Sequence, residues 1–158
     1  MKASVLARAG LLTAATAILA YLDSLIPTPL PGIKLGLANV GVLLTFYILG
    51  GGTASVVSLL RVLIVTLITG FSAFPYSLAG AAAALAVTLL MGKDSDPRLT
   101  SVLGAAAHTV AQICVAVVIL SEPRLFLTYL PLIGAAGVLC GFLTGTAVRC
   151  ALPLISKI

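Results

Sequence analysis

Arg61 is the first residue that asks for an explanation. It lies near the middle of an apolar run, and an ionisable group at that depth in a bilayer costs about 2.5 kcal/mol or more. Such a side chain must turn towards other helices or towards a wet cavity. At 100° per residue Ser55, Ser58, Thr66 and Thr69 fall within one narrow arc that Arg61 borders, which makes a polar stripe on one helix. A guanidinium stays charged and presents a fork of donors. Arg61 therefore either anchors an anionic group of a ligand or is a structural cation, satisfied by carbonyls or by an acid such as Asp23. His108 and Gln112 are four residues apart and share a helix face with Ser101 and Gly104. They can hydrogen-bond a ligand or join one helix to the next, and Asn39 has the same two readings. Asp23, at the end of the first helix, is expected to be an ordinary solvated carboxylate.

These residue types suit recognition better than catalysis. The acids are Asp23, Asp94, Asp96 and Glu122, with no paired-carboxylate motif and no aspartate-rich diphosphate site. A phosphate-cradling glycine loop before a lysine and a nucleophile elbow are also missing. No residue is assigned a catalytic role, and an enzyme is not expected. A single histidine without clustered cysteines or carboxylates cannot fill a coordination shell, so neither a metal nor a cofactor is expected. Cys114, Cys140 and Cys150 fall inside apolar runs without metal-type spacing and are expected to be buried thiols.

The elements that position these groups follow from composition. Of 158 residues, 61% are hydrophobic and 8% charged, and the mean hydropathy is +1.25. Soluble domains carry about a quarter charged residues, so lipid must be the solvent for most of this chain. The apolar runs are continuous and do not alternate with polar residues, which excludes an outer-membrane barrel. The expected fold is an all-α integral membrane protein, a bundle of six transmembrane helices over residues 8–26, 34–49, 53–70, 76–92, 101–120 and 126–149. It forms a single transmembrane domain, residues 1–158. The segment 27–32 (PTPLPG) stops the first helix, because each proline restricts its predecessor. Gly50-Gly51-Gly52 makes a turn, and 93–98 is a charged loop.

The net charge of +5 comes from basic residues scattered singly between apolar runs. That pattern marks membrane-surface flanks and argues against a nucleic-acid partner. With the N-terminus inside, Lys2, Arg8, Lys93, Arg98, Arg149 and Lys157 fall on the cytoplasmic side, and only Lys34 and Arg124 outside. The expectation is a multi-pass protein of the cytoplasmic (inner) membrane with both termini in the cytoplasm. Small residues mark close helix approaches. Gly137, Gly141 and Gly145 line one face of the last helix, and Ala3, Ala7, Gly10 and Ala14 form a smooth strip on the first. Each strip either packs within the bundle or docks a partner membrane protein.

The stretch 31–40 (PGIKLGLANV) resembles the signature of a family of small bacterial membrane proteins, the Gx transporter family or heptaprenyl diphosphate synthase component I. The similarity continues through Leu60-Arg61-Val62-Leu63, Thr69-Gly70, Tyr76-Ser77-Leu78-Ala79-Gly80, and Gly104-Ala105 followed by His108 and Gln112. Thr109 and Ala111 depart from the family pattern, which has Asn and Gly there. The resemblance implies a fold like the substrate-binding S components of energy-coupling factor (ECF) vitamin transporters. It also implies a small-molecule ligand, anionic or isoprenoid or vitamin-like, held near the outer face by Lys34, Asn39, Arg61, Tyr76, His108 and Gln112. Partner docking would run along Ala3, Ala7, Gly10 and Ala14, to an ECF energising module of a transmembrane subunit plus ATPases. The family's other name implies a non-catalytic membrane subunit associated with a prenyl diphosphate synthase.

Overall fold

The computed structural model describes residues 3–26 and 37–155. Within them the chain forms α1 (Ala3–Ser24), α2 (Asn39–Leu49), α3 (Gly51–Thr69), α4 (Phe74–Met91), α5 (Pro97–Leu120) and α6 (Arg124–Ile155), with a 3-10 turn at Phe71–Ala73 between α3 and α4. Local chemistry sets the breaks. Gly50 and Gly70 close α2 and α3 at φ 96° and 95°, a region that a side chain disfavours. Asp96 caps α5 by accepting from the Arg98 N–H at 2.7 Å, and Pro97 supplies the fixed φ of a first helical residue. Consequently α5 starts four residues before the expected 101, and Pro97 and Arg98 belong to the helix.

Among the described residues, five helices are long and apolar enough to cross a membrane. Of the expected second span, over 34–49, the described part is a helix of 11 residues, a rise of about 16 Å against a hydrocarbon core of about 30 Å. Hydropathy alone could not show this, since Leu37 and Ala38 are apolar but lie in a turn. Residues 34–36 lie outside the described residues. Helix α6 runs past the expected 149 and contains Pro131 and Pro153. Short as it is, α2 is central and touches every other helix.

The packing turns a soluble protein inside out. Leu11, Leu67, Leu90, Val118 and Leu127 are more than 70% exposed, while Thr16, Thr45, Thr100 and Gln112 are fully buried. Buried hydroxyls satisfy themselves within their own helix, as Thr16 does on the Leu12 carbonyl at 2.6 Å, Thr45 on Gly41 at 2.7 Å and Thr88 on Ala84 at 2.8 Å. Small residues let helices close. A Cβ on Gly41 would fall 1.8 Å from Thr16 Oγ1 between α1 and α2. Gly137, Gly141 and Gly145 meet Thr109, Ala105 and Arg98 of α5, so this strip packs within the bundle. Cys114 and Cys150 are exposed and Cys140 is half-buried. The expected buried thiols are therefore corrected, because an apolar run in lipid faces outward as readily as inward.

The helices alternate in direction, and the charged groups collect at one end. There Arg149 pairs with Asp96, and Arg98 lies 5.9 Å from the Phe142 ring centre. Lys93 donates to the Tyr47 carbonyl at 3.3 Å, and the Tyr47 hydroxyl donates to the Ser95 carbonyl at 2.9 Å. Arg8 borders a cleft with Tyr47 and Pro153 at this same end. Arg124 and Glu122 lie at the opposite end, 4.0 Å apart. Lys2 and Lys157 fall outside the described residues.

Candidate functional site

A polar cavity lies inside the bundle towards the Arg124 end, where α1 and α3 finish and α2 and α4 begin. Its polar lining is Asp23 from α1, Arg61 from α3, Ser77 from α4, and His108 and Gln112 from α5. Ala20, Ala38, Val62 and Val65 supply the apolar wall, and the space is ≈ 20 Å³, enough for one water molecule. Each polar residue is positioned by the register of its helix. On α3, Ser58, Arg61 and Thr66 are all buried, so the polar stripe faces inward. Ser55 is half-buried and bonds to the Gly51 carbonyl, and the Thr69 side chain is outside the described residues.

Arg61 is 5% exposed and donates from Nη1 to Asn39 Oδ1 at 3.1 Å. Asn39 opens α2, so this bond ties the start of the central helix to the middle of α3. Asp23 is 2% exposed, which corrects its reading as a solvated carboxylate. It lines the same cavity as Arg61. Thr16, Ala20 and Asp23, at i, i+4 and i+7, form the buried face of α1, and Asp23 simply continues it. Burying two opposite charges together is far cheaper than burying either alone.

His108 is seated on α4 by a missing side chain. A Cβ at Gly80 would lie 2.7 Å from His108 Cε1 and 2.9 Å from each ring nitrogen, so only glycine leaves room for the imidazole. Gln112, one turn on, is fully buried and faces the same cavity. Ser101 and Gly104, expected on this face, instead line a neighbouring space of ≈ 10 Å³ with Asn39. Ser101 there bonds to Thr144 Oγ1 of α6 at 2.7 Å.

The structure therefore brings Asn39, Arg61, His108 and Gln112 together and adds Asp23 and Ser77. Tyr76 is buried but does not line the cavity, and Lys34 falls outside the described residues. Thr109 points to Gly137 of α6, away from the cavity. Its departure from the expected Asn thus alters a helix contact and leaves the site's lining intact. Among the described residues no cluster of His, Cys, Asp and Glu could hold a metal ion. A second feature is an apolar groove of ≈ 490 Å³ between α1 and α3. It is lined by Gly10 and Ala14 together with Leu6, Thr13, Val56 and Leu60, while Ala3 and Ala7 are exposed beyond it.

The residues that line the cavity, from Ala20 to Gln112, fall within the stretch matched by the sequence model of heptaprenyl diphosphate synthase component I, residues 12–151. The chain belongs to that family. No curated protein and no solved structure matches it. In this chain the 31–40 signature runs into α2 at Asn39, the residue that holds Arg61.

Proposed function

We propose that this chain is a membrane-embedded small-molecule capture subunit that performs no chemistry of its own. The observation that supports this is the cavity: five polar side chains from four helices converge inside an otherwise apolar bundle. Polar and ionisable groups at membrane depth are expensive and mark ligand pathways more often than scaffold. The bundle is taken as S-component-like, with ligand capture coupled to an energising module of a membrane subunit plus ATPases. The α1–α3 groove, with Gly10 and Ala14 in its wall, is the surface assigned to that partner. The gathering of Arg8, Lys93, Arg98 and Arg149 at one end supports placing that end, and both termini, in the cytoplasm of a bacterial inner membrane.

The test is native mass spectrometry of gently purified protein. A co-purified vitamin-like or isoprenoid molecule that disappears in Arg61→Gln supports capture. Repeatedly empty protein refutes it. A second reading is favoured by the family match: a non-catalytic membrane subunit holding a prenyl diphosphate synthase at the bilayer. Affinity purification separates the two, since an ATPase complex supports capture and a synthase supports the second reading.

A further inference from the structure

The cavity carries its own counter-charge. Arg61 alone would favour an anionic ligand head, and so would the bias expected from Lys34, Arg61 and His108. Asp23 changes that reading, because it lines the same small space and is as deeply buried as Arg61. Among the described residues, the other polar groups at the site are Ser77, His108, Gln112 and the Asn39 amide bound to Arg61. All of these can donate or accept hydrogen bonds.

We propose that Asp23 is the built-in anion of this site, and that the ligand head it admits is electrically neutral and recognised by hydrogen bonds. This inference rests on the reading of the cavity as a capture site and names its ligand class. An anion approaching Arg61 must also approach the Asp23 carboxylate. At an effective dielectric of about 20, that repulsion is about fourfold stronger than in bulk water. An added net charge would also be buried without a partner, the costliest arrangement in a low-dielectric interior. A neutral amide, hydroxyl or carbonyl meets neither penalty. It displaces the single water the space can hold and takes over that water's hydrogen bonds.

The experiment compares acetate with acetamide, its neutral isostere, at matched ionic strength, reading the thermal unfolding midpoint of the full chain in mild detergent. Wild-type protein should gain no stabilisation specific to acetate. Asp23→Ala opens the space beside Arg61. Acetate should then raise its midpoint by roughly 2–4 °C at about five times its dissociation constant, and acetamide should not. Asp23→Ser, which also removes the charge and shortens the side chain, should show the same preference if the alanine variant folds poorly. An acetate-specific gain in wild type that vanishes in Arg61→Gln overturns the proposal. So does failure of acetate to stabilise both Asp23 variants. Failure of the capture reading shows itself elsewhere, as protein that never carries a ligand. A co-purified anionic ligand would sink the neutral-head inference while leaving capture standing.

Discussion

Replacing Gly80 with alanine should damage the cavity from behind, by pushing on one of its lining side chains. The added methyl carbon would lie 2.7 Å from His108 Cε1 and 2.9 Å from Nδ1 and Nε2. Carbon atoms rest about 3.5–4.0 Å apart, so the ring must retreat by about 0.8 Å. The free space within its reach is the ≈ 20 Å³ cavity it lines. Overpacking of this kind costs about 1–3 kcal/mol, and alanine recovers about 0.5–1 kcal/mol of helix propensity. A net stability loss of about 1–2 kcal/mol is expected. Hydrogen bonds from the displaced imidazole, each contributing about 0.5–1.5 kcal/mol, would be lost or misaligned, so ligand retention should fall about tenfold. The assay pairs ligand occupancy by native mass spectrometry with thermal unfolding in detergent. Gly104→Ala is the control, because its new carbon would sit at 3.7 Å from the Ala84 carbonyl oxygen, an ordinary contact. If Gly80→Ala keeps its ligand as well as Gly104→Ala does, His108 is not held where the structure puts it, and the argument from Gly80 fails.

Other substitutions probe the remaining contacts. Gly145→Ala would place a carbon 2.6 Å from Arg98 Cα and 2.9 Å from the Pro97 carbonyl oxygen. Backbone cannot give as a side chain can, so a loss of about 2–3 kcal/mol in detergent denaturation is expected. Gly134→Ala, with nothing nearer than Leu130 Cδ1 at 3.9 Å, should be neutral, and equal stabilities would refute the α5–α6 packing argument. Arg61→Gln breaks the buried bond to Asn39 and removes the cation that shares the cavity with Asp23, at a cost of about 3–5 kcal/mol. Adding Asp23→Asn should recover part of that loss, and strictly additive losses would show that the two charges are not coupled. Tyr47→Phe removes the hydroxyl that bonds Ser95 O at 2.9 Å and Thr100 Oγ1 at 3.2 Å. It should cost about 1–2 kcal/mol and quicken proteolysis at residues 92–96. Cysteines placed at Lys93 and Glu122, in a chain whose native cysteines are serine, should react with impermeant reagent from opposite sides of the membrane. Labelling from one side would break the topology.

Much of this arrangement was legible in the residues. Continuous Leu-, Ala- and Val-rich runs announce helices in lipid, and the glycines at 50, 70 and 92 sit at the helix ends. Arg61, His108 and Gln112 stand out because apolar surroundings make any polar group conspicuous. Asp23 was misjudged because a carboxylate near a helix end is ordinarily solvated. Its burial depends on where α3 stands relative to α1, a tertiary fact. The length of α2 was hidden for a related reason: hydropathy measures affinity for lipid, and Leu37 and Ala38 have that affinity whether or not they are helical. The seat of His108 on Gly80 lies between two helices, so spacing within either one cannot express it. The α6 glycines did announce a close approach, and only the structure identifies α5 as the neighbour.

The brevity of α2 has an electrical consequence. Its 11 residues place Asn39 and the Arg61 guanidinium about 16 Å from the charged end of the bundle, close to half the thickness of the hydrocarbon. A unit charge lodged there would have traversed about half of the transmembrane voltage, or about 1.2 kcal/mol for each 100 mV. Arg61 and Asp23 sense that field with opposite signs at similar depth, so as a pair they contribute almost no gating charge. Occupancy by a neutral guest should therefore be indifferent to membrane polarisation, and an energised cell and a depolarised one should load the site equally.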